Sequence, residues 1–544
     1  MKKALFFLLI SNFLFSQWSI SNAERSALVS IYNATDGDNW NRTWDLENDP
    51  RNWFGVSVVN GTVSELNLNG NALKGTFPAY ITSLTHLKKL DLSNNQLSGE
   101  VPMGISSLSS LTKLDISNNR LSGNPANSLN GLFNVEDLAL GGNIFTIPDA
   151  NGLLQSFNNI KILNIADLGL TGIPAKITTF ANLETLILDN NPIPANAFAN
   201  IAGHPKLTNL SLSGLQLAQI PTQVSQLAQL LTLDLSHNSL TEQNASGLST
   251  LTNLEWLSLE SNQLAQIPTQ IAQLQKLKTL NLGRNNISGG FASITNLSNL
   301  QQLFLNNNLI SGNFPSALLG MSRLMMLNLN SNQLSGELPD QLPAITHISN
   351  NRFSKNDLSN YIEDFAEQTD FNYSPQRYDS AKEVLGIIGQ SAKLDQSLSG
   401  NGYTFTWFKN LDRKTSTTTA DLTFNNVEES DYATYTAEAY TYSVLNNSVV
   451  FDLSLFREPI SLVKVLGTVE SSKYFNIYPN PTSDYLNIVS SKYDIQKVHI
   501  YDLSGKQMLS ETQSRIDVTK LPSGVYMLII KTQEGNKNFK FIKQ

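Results

Sequence analysis

The chain contains no cysteine. Disulfides, thiolate metal sites, iron–sulfur clusters and a cysteine nucleophile are excluded by that absence. Charge is also sparse: Asp, Glu, Lys and Arg make up 15% of the residues, against roughly 25% in an average soluble chain, while 41% are hydrophobic. The polar surface therefore rests on Asn, Ser, Thr and Gln. With 37 Lys and Arg against 45 Asp and Glu the net charge is −8, and no basic block interrupts it. A phosphate backbone gains little from such a surface, so no nucleic-acid partner is expected. No apolar run reaches the roughly 20 residues that span a bilayer. The most apolar stretch, Ala4 to Ile10 and then Phe13-Leu14-Phe15, is broken by Ser11 and Asn12 and follows Lys2-Lys3. This is the order of a signal peptide, assigned to residues 1–23, with cleavage after Ser16 or after the small-residue stretch ending at Ala23. The mature chain is expected to have no membrane span, and a length of 544 residues suggests about three or four domains.

Catalytic signatures are missing too. His86, His204, His237, His347 and His499 form no H-E-x-x-H and no pair at metal-ligand spacing, and there is neither a G-x-S-x-G elbow nor a phosphate-binding G-x-x-x-x-G-K-[ST] loop. No catalytic residue, metal or cofactor is predicted. The one carboxylate pair of interest, Asp91 and Asp115, falls at equivalent positions of adjacent strands roughly 5 Å apart, similar to the gap of about 5 to 5.5 Å used by retaining glycosidases. Lys89 and Lys113 lie on the same face, so a solvated ion ladder is the expected role.

What is abundant is a repeat. A unit L-x-x-L-x-L-x-x-N-x-L recurs every 23 to 25 residues from 63 to 353, as Leu87, Leu90, Leu92, Asn95, Leu97 and again as Leu254, Leu257, Leu259, Asn262, Leu264. The asparagine returns at 71, 95, 119, 143, 191, 238, 262, 285, 308, 332 and 351, with Leu168 and Leu215 in its place twice, giving 13 rungs. L-x-L puts two apolar side chains on one face of a strand and the residues around them on the other. The asparagine can satisfy backbone groups where the chain bends, forming a polar ladder. No unit can bury its leucines alone, so both ends need caps. The pattern resembles the leucine-rich-repeat family. It implies an α/β solenoid with a curved parallel sheet of about 13 rungs, followed by two small all-β sandwich domains. Two repeat types are mixed. Leu97-Ser98-Gly99-Glu100-Val101-Pro102, Ile310-Ser311-Gly312-Asn313-Phe314-Pro315 and Leu334-Ser335-Gly336-Glu337-Leu338-Pro339 resemble plant-type repeats, whereas Leu217-Ala218-Gln219-Ile220-Pro221 and Leu264-Ala265-Gln266-Ile267-Pro268 resemble a shorter form.

Residues 24–62 resemble the cap that precedes plant-type repeats, through Ala34-Thr35-Asp36-Gly37-Asp38-Asn39-Trp40 and Trp53-Phe54-Gly55-Val56, without the usual cap cysteines. Asp36 and Asp38 read as a turn rather than calcium ligands. Residues 354–383 are expected to close the repeats and link to the next module. Residues 384–466 resemble a cysteine-free immunoglobulin-like sandwich, with Leu394 and Ala437 where core cysteines would stand, a buried Trp407, and a tyrosine corner at Asp431 and Tyr435; a β-sandwich of another topology is the alternative. A linker, 467–473, follows. Residues 474–544 contain Ile477-Tyr478-Pro479-Asn480-Pro481-Thr482, Val498-His499-Ile500-Tyr501-Asp502-Leu503-Ser504-Gly505-Lys506 and Leu521-Pro522-Ser523-Gly524-Val525-Tyr526. They resemble the C-terminal sorting domain of the Bacteroidetes type IX secretion system, which implies export to the outer-membrane surface or medium, the secretion machinery as partner and removal of the tail. An adhesive β-domain that stays on the protein is the alternative. This tail carries 9 Lys and Arg against 6 Asp and Glu, net +3, whereas residues 17–473 carry 26 against 39, net −13.

The outward positions flanking each L-x-L are mostly small or polar: Asn67, Ser93, Ser117, Asn164, Ser211, Ser258, Asn281, Asn328. Against them Trp256, Arg284, Phe304 and Met326, from rungs nine to twelve, stand out as residue types enriched in interface hot spots. Ile162 and Ile187 make a weaker apolar spot. The expected function is non-enzymatic recognition or adhesion, with a protein ligand bound on the concave face. A glycan is the alternative ligand, since aromatic rings and amides also suit a sugar, and a structural surface-layer role is the third reading.

Overall fold

The computed structural model describes residues 19–358, 361, 370–398, 402–417, 419–445, 448–464, 474–502 and 506–544. The apolar leader through residue 18 and the linker 467–473 lie outside these, as does Leu503-Ser504-Gly505 of the tail. The chain divides into two units, one of residues 1–378 with 440–455, the other of residues 379–439 with 456–544.

The first unit is organised by a sheet of 15 strands. It opens with an antiparallel strand, Val56–Val59, paired to the first rung, Thr62–Asn67. Parallel three-residue strands then stack in strict register, Leu90 beside Leu114 and Leu257 beside Leu280. The inward leucines are sealed: Leu90, Leu92, Leu257 and Leu259 are fully buried, each contributing on the order of 1.5–3 kcal/mol of burial. Because a strand of three residues makes few ladder bonds of its own, side chains complete the coil. Asn95 Nδ2 donates to the carbonyls of Leu68, Leu92 and Ser93 at 2.8, 2.9 and 3.0 Å, and its Oδ1 accepts from Leu73 N at 2.9 Å. At the two rungs with Leu168 and Leu215 the side chain is buried apolar mass. There the ladder resumes at the next unit, where Asn191 and Asn238 reach back to Ile165 O and Leu212 O, both at 2.9 Å.

The two repeat types fold differently on the side opposite the main sheet. Plant-type units add strands there, Lys74–Thr76, Gln96–Glu100 and Arg120–Ser122 in one short sheet and Ser311–Gly312 with Gln333–Leu334 in another. Gly99 and Gly312 in L-x-G take φ of 75° and 79°, a left-handed conformation that costs glycine nothing. The shorter units at 217–221 and 264–268 have no glycine at that point and form no strand there.

Both ends are capped. At the N-terminal end the helix Asn22–Ala34 starts on Ser21, whose hydroxyl accepts from Glu24 N. Beside it Tyr32, Trp40, Trp44 and Trp53 pack as an aromatic cluster, with Trp44 stacked on Trp53 at 4.8 Å between centroids. All three indoles donate to backbone carbonyls at 2.8 Å, so this cluster supplies the closure that the absent cysteines do not. Asp36 occupies a left-handed turn with φ of 63°, and Asp38 accepts from Tyr32 Oη.

At the other end the segment expected as closing turn and linker does more. Asp370–Asn372 adds a parallel strand beyond the thirteenth rung. Gln376, fully buried, then stands in for a ladder asparagine, donating to Ile348 O at 2.8 Å and accepting from Asn351 N at 3.1 Å. The sandwich module also contributes: residues 440–455 of its long hairpin, Ala433–Leu445 and Ser448–Arg457, belong to the repeat unit. They supply a strand partner for Gln376–Tyr378.

In the second unit Leu394, Trp407, Tyr435 and Ala437 are all fully buried in one core. Tyr435 Oη donates to Asp431 O at 2.7 Å, and burial pushes the phenol up to about 12. The tail forms a three-stranded and a four-stranded sheet around a separate core that includes Phe475, Ile488, Val498, Ile500, Leu528 and Phe541.

Candidate functional site on the outward face of the repeat sheet

Strand alternation sends every second residue away from the leucine core, so the outward positions form columns that run across the rungs. One column reads Glu65, Lys89, Lys113, Asp137, Ile162, Thr185, Asn209, Thr232, Trp256, Thr279, Gln302, Met326, and its neighbour includes Asp91, Asp115, Ile187, Asp234, Asn281, Phe304 and Asn328. Three chemically distinct stretches follow one another along the sheet.

Rungs one to four carry paired charges. Lys113 bridges Asp91 at 3.3 Å and Asp137 at 3.8 Å, and Lys89 lies 3.7 Å from Glu65. Burial lowers the Lys113 ammonium, but the surrounding carboxylates outweigh it and hold the group above its ordinary value. Asp115 and Asp137 are raised, chiefly by burial. Asp91 and Asp115 do face each other on adjacent strands. Asp91 is more enclosed than a solvated ladder implies, being buried and accepting from Ser93 Oγ at 2.6 Å; Asp115 accepts from Ser117 Oγ at the same distance. Both carboxylates are occupied as structural acceptors and counter-ions.

Rungs five to nine have no Lys or Arg at all in 162–167, 185–190, 209–214, 232–237 or 256–261, but hold Asp167, Asp189, Asp234 and Glu260. Asp189 accepts from Ser211 Oγ at 2.6 Å and Ser213 N at 2.8 Å, and burial, reinforced by Asp234, leaves it above the ordinary carboxylate value. Ile162, 37% exposed, and Ile187 sit here on neighbouring strands, offset by one column.

The apolar stretch begins at rung nine. Trp256, Phe304 and Met326 all lie on outward positions and are half-buried. They are spread rather than gathered: Trp256 and Met326 share a column with Thr279 and Gln302 between them, which at strand spacing is roughly 14 Å. Phe304 lies one column over, flanked by Asn281 and Asn328. Arg284 is not on a strand. It occupies the left-handed corner after rung ten, φ 55°, with its guanidinium 3.4 Å from Glu260. The repeat places an outward-turned residue at every such corner, which L-x-L counting alone does not separate from the face. Two residues escaped the sequence reading: Leu231, 39% exposed, and Met325, 58% exposed, immediately before the strands of rungs eight and twelve. The pattern assigns that position to the approach loop, and only their exposed apolar character, unusual there, signals them.

No three of the described His, Asp or Glu residues are placed to hold a metal ion. The five histidines are scattered, with His204 buried in a loop and His499 in the tail. Among the described residues no helix is long and apolar enough to cross a membrane.

A ladder-bearing parallel sheet with one sealed and one outward face defines a leucine-rich-repeat solenoid. The family comparison agrees: residues 62–121, 205–264, 299–321 and 323–345 match leucine rich repeat models, and residues 476–544 match the secretion system C-terminal sorting domain. The chain thus carries leucine-rich repeats and, at its C-terminal end, a type IX sorting domain that directs export to the cell surface or the extracellular space. Among solved structures it is similar to the Arabidopsis receptor kinase HAESA in complex with the peptide hormone IDA, at 25% identity and a TM-score of 0.48 over 67% of this chain. The chain spans 63% of that receptor's length. It is also similar to a leucine-rich-repeat protein of Leptospira interrogans, at 29% identity and 0.46 over 58% of this chain and 79% of that one. A Listeria monocytogenes internalin matches at 23% and 0.38 over 59% and 84%. No curated protein matches the chain.

Proposed function

We propose that the exported body is a non-enzymatic recognition or adhesion protein that binds a protein ligand across the outward face of its repeat sheet, with the immunoglobulin-like module as a spacer. The observation that carries this reading is the stripe of Trp256, Phe304 and Met326, extended by Leu231 and Met325, on the outward face beyond the paired charges of rungs one to four. Large side chains left half-exposed on a rigid surface are the elements from which interface hot spots are made. The rigid backbone beneath them reduces the ordering cost of binding.

A second reading, a glycan ligand, is favoured by Phe304 standing between Asn281 and Asn328, a ring with amides on both sides. Trp256→Ala and Phe304→Ala in the full chain, tested against surface proteins and a glycan panel, separate the two. Protein binding weakened ten-fold or more by both substitutions supports the first reading. Loss confined to glycans and to Phe304→Ala supports the second. Self-association with neither ligand supports a surface-layer role, and binding unaffected by either change refutes this face as the site.

A further inference from the structure

A cleft of about 310 Å³ opens off the repeat sheet, between the return segments that carry the chain from one strand to the next. Its walls are two short helices with their flanks, Ala126–Leu129 and Ala150–Leu154. The preceding units return instead through tighter 3-10 turns, Ala79–Ser83 and Met103–Ser107. The polar lining is Asn124, Asn127, Asn130, Asp149 and Gln155, with no Lys or Arg. Only part of its hydrogen-bonding capacity is used. Asn124 Oδ1 accepts from Ala126 N at 3.1 Å, Asp149 Oδ1 from Asn151 N at 2.9 Å, and Asn130 Oδ1 from Ser156 Oγ. Asp149 Oδ2, the amide nitrogens of Asn124 and Asn130, and the whole amides of Asn127 and Gln155 have no partner among the described residues.

Gly152 adds an independent sign. It lies inside the helix Ala150–Leu154 with a backbone that any residue adopts, and alanine would serve that helix better. A Cβ here would stand 2.8 Å from Asp149 Oδ2. The missing side chain therefore leaves the free carboxylate oxygen its place at the cleft, the kind of close approach for which glycine is used.

We propose that this cleft binds a neutral sugar residue at the end of a glycan. The free groups include pure acceptors and pure donors side by side, so the ligand must both donate and accept at neighbouring points. An ammonium or guanidinium group only donates and leaves the amide nitrogens unmatched. A phosphate or carboxylate meets Asp149 and finds no cation. Sugar hydroxyls do both, while the C–H groups of the ring rest on Ala126 and Pro148, the apolar part of the lining. Ligand clefts run from roughly 300 to 1,000 Å³, so this one suits a single chain end rather than a long polymer. The site stands apart from the outward sheet face and does not rest on the function proposed for that face.

The test titrates the full chain with methyl glycosides of glucose, galactose, mannose, fucose and N-acetylglucosamine, and with the methyl glycoside of glucuronate as an anionic counterpart, read by saturation-transfer NMR. Three variants are compared: Asp149→Asn, which keeps a good helix cap, Gly152→Ala, which favours the helix and displaces the carboxylate oxygen, and Phe304→Ala on the sheet. Unchanged melting temperatures for the first two separate a lost site from a lost fold. The expected result is binding of at least one neutral glycoside, weakened ten-fold or more by Asp149→Asn and by Gly152→Ala and less than two-fold by Phe304→Ala. Binding of none of the neutral glycosides overturns the proposal, as does glucuronoside binding of equal strength. Loss with Phe304→Ala but not with the cleft variants also overturns it, because the sugar then sits on the sheet. Failure of the cleft leaves the protein-ligand reading of the sheet face untouched.

Discussion

Replacing Asn262 by alanine tests whether the buried ladder, rather than leucine packing alone, holds the coil together. Asn262 is 8% exposed and makes four bonds. Its Nδ2 donates to Leu235 O, Leu259 O and Glu260 O at 3.0, 3.1 and 3.2 Å, and its Oδ1 accepts from Leu240 N at 2.9 Å. A buried bond contributes about 1 kcal/mol net, and a donor left unsatisfied costs about 1–3 kcal/mol, so the substitution should cost about 3–5 kcal/mol. Each rung touches only its neighbours, so the loss should be local. Hydrogen exchange on the full chain should show protection falling by that amount between Leu233 and Leu280 and unchanged at Leu90. Asn262→Leu discriminates the cause, because leucine fills the same space at positions 168 and 215. It should still cost at least half as much as alanine. If Asn262→Leu is neutral, packing rather than hydrogen bonding sustains the rung, and the ladder argument fails.

Other outcomes concern the N-terminal cap. Ser19 binds Asp49 twice, through Oγ at 2.7 Å and N at 3.0 Å, and Ser21 caps the first helix, so mass spectrometry of the mature chain should find both residues retained; a terminus beginning after Ala23 contradicts this. Burial alone would raise Asp49, but the bonds from Ser19 and Arg51 outweigh it and hold the carboxyl well below its ordinary value. A depressed folded-state pKa gives stability that is present above about pH 4 and lost as pH falls through the folded value. Asp49→Asn should therefore flatten the acid limb of cap unfolding, and an unchanged limb counts against the assignment. Trp44→Ala removes the ring stacked on Trp53 and the bond to Phe54 O, a loss of about 3–5 kcal/mol that should appear as exchange confined to the cap and first rungs.

Much of this was legible before folding because the repeat is local: L-x-L and the asparagine five residues after the strand leucine fix which side chains turn inward, and copying the unit fixes the register. The same locality made the tail readable from three short blocks, and Leu394, Trp407, Tyr435 and Ala437 do meet in one core. Less was legible where the contact spans distant sequence. Gln376 completes the ladder with a longer amide in a different spacing, and the hairpin residues 440–455 join the repeat body from a later module; neither obeys the repeat period.

The amino-acid sequence by itself determined the stacked coil and its two faces, because periodicity dictates burial wherever each unit must hide its leucines against the next. Tertiary structure alone decided how the outward residues are distributed. Strand pairing spread Trp256, Phe304 and Met326 into a stripe, turned Arg284 into a corner beside Glu260, placed Lys113 between two aspartates, and set Lys497 against Lys531 in the tail. Those neighbours are tens of residues apart, and only the register of one strand against another brings them together.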